Sequence, residues 1–474
     1  MTLPVTSPPP LLLRSVEVDG RRVDVRLRDG RVEAVGPDLD VAGARVVDGR
    51  GGAVLPGLHD HHVHLLATAA ARASIAVGPT DVAGAAGLAA ALRRAAAAAA
   101  PGAWVRGVGY HESVAGDLDR CALDQAVDDR PVRVQHRSGA LWVLNGAALA
   151  AVGPLPDVAG VERSADGEPT GRFFRAEDWL ASRWPPVPVD LAALGRRLLA
   201  FGVTGVTDAT PFGTTDGIDR LAAAVAAGDL PQRVVVMGGP SLTAAEPDPH
   251  LDRGPVKLVL ADSDLPDLAD VVGHVRAAHA HDRPVAVHCV TAEALVVALA
   301  ALREAGPFPG DRLEHAAVVP AALLADVAAA GVCVVTQPAF VATRGDDYRR
   351  DVEPAERDDL WRCRSLRDAG VPVGAGTDAP YGDLDPWRAV VAAIGRRTPS
   401  GAVLGATETL TPAAALALFL GPPSAPGGPP RRVEPGAVAD LCLLHAPLVT
   451  ALADPTSELV RSVFIGGATA VADR

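Results

Sequence analysis

Lys257 is the only lysine in a chain of 474 residues; the other 43 of its 44 basic residues are arginine. A buried lysine can shed its proton and act as a nucleophile, whereas arginine stays charged. One retained amine therefore points to a Schiff base, a general base, or reaction with CO2 to give a carbamate that ligates metal. The competing reading is compositional bias, since Ala, Gly, Pro and Arg are all abundant. Position decides between them: Lys257 lies in Pro255-Val-Lys-Leu-Val-Leu260, an apolar run of strand type.

Four other segments put ligand-type side chains at the ends of similar runs: Leu55-Pro-Gly-Leu-His-Asp-His-His-Val-His-Leu65, Val285-Ala-Val-His288, Leu313-Glu-His315 and Gly374-Ala-Gly-Thr-Asp378. In a parallel barrel such strand ends converge on one face, where catalytic groups are found. His62 and His64 are spaced i, i+2, which on an extended strand puts both imidazoles on one side, able to grip one ion. The same spacing in His279-Ala-His281 falls near the end of a helical stretch, where the two rings diverge, so that pair reads as solvated surface. His61 should face away from the ligands, His59 is placed on the ligand parity one step before the strand end, and the role of Asp60 stays open. Cys289 should point into the core. His111, His250, His274 and His445 have no partner at metal spacing and read as structural or surface residues, while His136 lies in a segment that could reach substrate.

The bulk properties narrow the class. The net charge of −13, with no basic cluster, argues against nucleic acid and anionic membrane as partners. Five cysteines without CxxC spacing argue against a disulfide framework or zinc knuckle and for a reducing cytoplasm. The first residues lack the basic start and long apolar core of a signal peptide, and the alanine-rich runs are broken by charges, Gly or Pro, which argues against a membrane span. The content of 49% hydrophobic residues fits a large enzyme-sized interior. Assembly into a homo-oligomer stays open.

The elements that must position these residues are legible in outline. Short runs with Asp19-Gly20 and Asp29-Gly30 between them signal hairpins over Leu11 to Asp48, and the pattern resumes at Ala439 to Leu444 and Val460 to Ile465. The segment Gly421 to Pro430 reads as a linker. We therefore expect residues 1–54 and 428–474 to build one small β-sandwich domain, and 55–427 a (β/α)8 barrel. After the strand ending at His64, strands are expected at 205–208, 233–237, 256–260, 285–289, 312–315, 332–336 and 371–376, alternating with helices. Residues 66–200 are too long for one crossover and read as a lid-like insertion, in which Trp104, Tyr110, His136 and Trp142 are candidate substrate contacts.

Together these motifs resemble the amidohydrolase superfamily, and within it the amidohydrolase 3 or YtcJ-like group that includes N-substituted formamide deformylases. The opening Leu55 to His64 motif, Arg312-Leu-Glu-His-Ala316, Gly376-Thr-Asp-Ala-Pro380, Asp385-Pro-Trp387 and Gly436-Ala-Val-Ala-Asp-Leu441 carry the likeness, as do Arg130-Pro-Val132, Trp142-Val-Leu-Asn145 and Thr170-Gly171 in the insertion. A departure follows Lys257, where the group's usual Asp-Gly gives way to Leu-Val-Leu-Ala-Asp-Ser263. The resemblance implies two divalent metal ions: His62 and His64 on one, His288 and His315 on the other, a carboxylated Lys257 bridging both, and Asp378 binding the first and taking the proton from the bridging water. Zinc suits this mixed imidazole and oxygen set, with iron or manganese as alternatives. The implied activity is hydrolysis of a non-peptide carbon–nitrogen bond, an amide or formamide of a small molecule. The alternatives are a mononuclear ring aminohydrolase, against which His288-Cys-Val-Thr-Ala-Glu293 puts its glutamate out of register, and a barrel that binds ligand without catalysis.

Overall fold

The computed structural model describes residues 9–155, 160–185, 187, 189–246, 248–262 and 265–471. Residues 1–8 and 472–474 of the expected β domain and Ser263 of the departure noted above lie outside them. The chain divides into two compact units: residues 1–65 with 191–474, and residues 66–190.

In the first unit the eight strands occur in the expected order, as Leu58–Val63, Val203–Asp208, Arg233–Val236, Val256–Val259, Val285–Cys289, Arg312–His315, Cys333–Thr336 and Val373–Ala375. Neighbours pair in parallel. Every residue of Val203–Asp208 and Leu58–Val63 is buried, as expected of parallel strands covered on both faces. The ladder does not close into a continuous barrel, however; it forms one sheet of four strands and one of five. At one seam the short strand Asp252–Arg253 occupies the edge of Arg233–Val236, leaving a single bond from Lys257 N to Gly238 O at 2.9 Å. At the other, Asp378 N donates to His62 O at 2.8 Å. Gly376 allows that approach, because a Cβ there would lie 2.4 Å from the Cβ of His62.

The chain ends supply two further four-stranded sheets. Arg31–Gly36, Arg21–Arg28, Leu11–Val18 and Arg45–Asp48 form one; Ala468–Val471, Val460–Ile465, Leu441–Leu444 and Val54–Pro56 form the other. Leu13, Leu27, Val54, Leu441 and Phe464 share one apolar core. The two hairpin dipeptides take φ of 49° and 72° at Asp19-Gly20 and 49° and 76° at Asp29-Gly30, the left-handed pair that tight hairpin turns require. The expected linker is packed rather than loose: a Cβ on Gly427 would fall 2.2 Å from Val373 N.

The unit of residues 66–190 has more strand than its sequence suggests. Six strands pair in the order Val161–Arg163, Pro169–Phe174, Leu141–Leu144, Val132–His136, Val105–Tyr110, Ile75–Ala76. One apolar cluster, with the helix Gly84–Ala98, includes Leu92, Val132 and Val134; another includes Trp142, Leu144 and Phe173. Asn145 pins the turn: Oδ1 accepts from Val132 N at 2.9 Å and Ala148 N at 2.8 Å, and Nδ2 donates to Val127 O and Arg130 O at 2.8 and 2.9 Å. The Arg130-Pro-Val132 and Trp142-Val-Leu-Asn145 motifs thus have a structural cause. Among the described residues, no helix is long and apolar enough to cross a membrane.

Candidate metal centre

Strand register sets which side chains meet. Lys257 lies opposite Ala286 and Ala286 opposite Arg312; two residues on, and so on the same face, Val259, His288 and Glu314 are in register. Residues in register on parallel strands point the same way. Lys257, His288 and Glu314 therefore share a face. His315 would alternate away, yet its φ of 69° turns the chain, and its ring centroid lies 4.3 Å from that of His288 and 4.8 Å from that of His62. Asp378, at φ 53°, is a second non-glycine residue in the left-handed region. Such conformations cost energy and persist where the surroundings impose them, commonly at functional sites.

The Nε2 atoms of His62 and His64 lie 3.4 and 3.3 Å from Asp378 Oδ1. Two ligands bound tetrahedrally to zinc at their usual lengths are about 3.3 Å apart, so these three groups already stand at the spacing of a cation's coordination shell. The rings are aimed from behind. The Nδ1 atom of His62 pairs with Glu314, that of His64 with Thr210 Oγ1 at 3.0 Å, and that of His315 with Gln337 Oε1 at 2.8 Å. Such outer partners fix ring orientation and leave Nε2 for metal. Both His62 Nε2 and Lys257 Nζ are buried without a hydrogen-bond partner. Buried polar atoms are seldom left so, and a cation at the first and a carboxyl on the second would resolve both.

The protonation states agree with that fit. Burial, reinforced by Lys257 and neighbouring imidazoles, holds His62 and His288 well below the ordinary imidazole range, and burial also lowers His315. Neutral imidazole is the ligand form. Burial pushes Lys257 down to about 8 although Glu314 pulls it up. For Asp378 burial acts against the charge, but its interactions with His64, His62 and His315 outweigh it and hold the carboxyl below the usual range. The face therefore presents neutral imidazoles, a charged carboxylate and an amine that is readily deprotonated.

Sequence reasoning did not assign several supporting residues. Asp60 is a tether: it accepts from Thr377 N at 2.9 Å and Thr377 Oγ1 at 2.5 Å, joining the first strand to the turn that carries Asp378, and burial raises its carboxyl to about 7. Glu314 also forms a buried ion pair with Arg312, whose Nη2 donates to His61 O at 3.1 Å. Thr210 and Gln337 carry no motif of their own. His59 is not on the ligand side; its ring packs 4.7 Å from that of His61, and its Nε2 meets Thr207 Oγ1 at 2.9 Å. His279 is not solvated surface: it stacks on Phe308 at 4.4 Å, and its Nε2 meets Asp311 Oδ2 at 3.1 Å. That helix, Leu268–Ala280, turns His279 inward, whereas His281 is exposed. Cys289 is buried, its thiol pushed up to about 12, which suits core and not nucleophile.

Of the four candidate substrate contacts, Tyr110 and Trp142 are buried in the cores of the 66–190 unit, the tyrosine hydroxyl donating to Gly116 O at 2.6 Å. Trp104 and Trp142 both lie edge-on to Trp184, whose ring carries the buried Arg133 guanidinium 4.0 Å above its centre. His136 is partly exposed and stacks on His111.

Residues 45–471 match the Amidohydro_3 model, described as the amidohydrolase family. The chain is 27% identical to the N-substituted formamide deformylase of Arthrobacter pascens, across 91% of this chain and 93% of that protein. It is also 27% identical to the putative amidohydrolase YtcJ of Bacillus subtilis (strain 168), across 62% and 64% respectively. Among solved structures it is similar to an uncharacterized metal-dependent hydrolase from Pyrococcus horikoshii OT3, with a TM-score of 0.73 and 20% identity over 92% of this chain and 97% of that one. With the family's pattern running through nearly its whole length, the chain belongs to the amidohydrolase family, and so to the metal-dependent hydrolases of carbon–nitrogen bonds.

Proposed function

We propose that this amidohydrolase cleaves the amide or formamide bond of a small molecule on a two-metal face. The observation that carries the reading is Lys257: a sole lysine, buried, with Nζ unpartnered, among imidazoles held neutral. His62, His64 and Asp378 would hold one divalent ion, His288 and His315 a second, with Lys257 as its carbamate bridging them; zinc suits these donors. Such ions supply a lowered water pKa and a polarised carbonyl.

The chain's own groups do the rest. Glu314, Thr210 and Gln337 hold three imidazoles in the tautomer that leaves Nε2 free. Asp378, tethered through Thr377 to Asp60, takes a proton at its carboxylate and returns it to the leaving nitrogen, as general acid–base catalysis of amide hydrolysis needs. Glu293, the nearest candidate for a ring aminohydrolase's glutamate, is exposed on the helix Ala292–Ala305, which favours the two-metal reading. The likeness to a protein named N-substituted formamide deformylase supports N-formyl compounds as the first class to try. The composite β-sandwich made from both chain ends is part of the same reading, supported by their shared core. Five free cysteines fit a reducing cytoplasm.

Elemental analysis of metal-replete protein, followed by turnover of N-formyl, N-acyl, cyclic amide and ester panels, tests the proposal. We expect about two ions per chain on the hydrolytic face, lost together when its ligands are replaced, and preference for a carbon–nitrogen bond. A single ion with full activity, or turnover of esters alone, would contradict it.

A further inference from the structure

The 66–190 unit carries a second convergence of ligand-type side chains that the hydrolytic reading does not use. Tyr110 lies in register with His136 on the parallel strands Val105–Tyr110 and Val132–His136, so His111, the next residue, arrives beside His136. Their rings stack with centroids 5.8 Å apart and planes inclined by 29°. Both Nε2 atoms face one oxygen: Glu112 Oε2 lies 3.4 Å from His111 Nε2 and 3.2 Å from His136 Nε2. These separations bracket the roughly 3.3 Å expected between two ligands of one tetrahedral zinc ion.

Each ring is also anchored at its far nitrogen by a serine two residues on. His111 Nδ1 lies 2.8 Å from Ser113 Oγ, and His136 Nδ1 lies 2.7 Å from Ser138 Oγ. The backbone N–H groups of Ser113 and Ser138 also donate to these nitrogens, at 3.3 and 3.1 Å, when the proton sits on Nε2. The hydroxyls make the other tautomer available, because each can accept from Nδ1–H and so release the Nε2 lone pair. Which nitrogen binds metal is set by the bond the other one makes. Burial keeps His136 below the ordinary imidazole range, so the neutral form is the resting one. The histidines are about one-seventh exposed, at 16% and 14%, and Glu112 is 45% exposed, which leaves solvent a route to a further coordination position.

We propose that His111, Glu112 and His136 form a second cation site, sharing no residue with the hydrolytic set, that takes a borderline divalent ion such as Zn2+ through two imidazoles and a carboxylate, with water completing the shell. The test uses the full chain. Equilibrium dialysis against micromolar Zn2+ should leave the parent holding about one ion per chain more than His111→Ala or His136→Ala. Equal metal content in parent and variants overturns the site. Because either variant could perturb the ends of these two strands, a second measurement needs no substitution: modification of the parent by diethyl pyrocarbonate, mapped by mass spectrometry with and without Zn2+. Protection of both His111 and His136 by Zn2+ supports the site, and the same extent of modification in both samples overturns it.

Discussion

The hydrolytic face and the His111–Glu112–His136 cluster place Nε2 atoms at nearly the same distance from a carboxylate oxygen, yet they are held in opposite ways. On the face, the imidazoles of His62, His64 and His315 are aimed by residues far away in sequence, Glu314, Thr210 and Gln337. In the cluster, His111 and His136 are aimed by serines only two residues along their own turns. The first geometry exists only when strands from distant parts of the chain have assembled; the second needs one pair of neighbouring strands. Burial differs in step. The face is closed enough to hold its imidazoles neutral and to depress a lysine, whereas the cluster keeps a carboxylate half in water. A buried site with long-range anchors suits chemistry that must exclude competing solvent, and a shallow one with local anchors suits reversible binding.

Removing one anchor from each site sharpens the contrast. Glu314→Gln keeps the shape but weakens the hold on His62 Nδ1 and leaves Arg312 without its charge partner. Metal affinity of the hydrolytic face should fall by about 10–100-fold, as for other outer-sphere partners, measured by competition with a chelator of known affinity. Unchanged affinity would mean that Glu314 is a structural ion pair alone. Ser138→Ala removes the acceptor for His136 Nδ1–H together with a 3.3 Å bond from Ala140 N, so binding at the cluster should weaken by less, roughly tenfold or below, while ions on the hydrolytic face stay put. If Ser138→Ala strips the hydrolytic ions as well, the two sites are not separate and the comparison fails.

What the sequence disclosed follows the same division. His288 and His315 stood out because each sits at the end of a short apolar run, and parallel strands gather their ends on one side; Lys257 stood out as the sole lysine, set inside such a run. Ladder closure was not legible: Asp252–Arg253, too short and polar to register as a strand, takes the edge that the fourth strand would need. Glu314 escaped notice because strict alternation sets it and His315 on opposite sides, and only the left-handed turn at His315 brings both to His62. The signal was present in Arg312-Leu-Glu-His315, where two charges enter an otherwise buried strand and must be paired. In the insertion, two glycines and an arginine interrupt the alternation of Val105–Tyr110, so this strand of the six-stranded sheet was missed, and with it the pairing that joins His111 to His136. His279 was misjudged because helical spacing says where a ring points, not which neighbouring element meets it; Phe308 and Asp311 do.

The central claim rests on one amine, and Lys257→Arg tests it most directly. Arginine keeps the charge and approximate length but cannot form a carbamate, and its fixed cation would oppose metal on the same face. Metal content and turnover of the purified variant should be read side by side against the parent. The account predicts loss of at least about 10²-fold in activity together with loss of bound ions. Parent-like kinetics with parent-like metal content would contradict it.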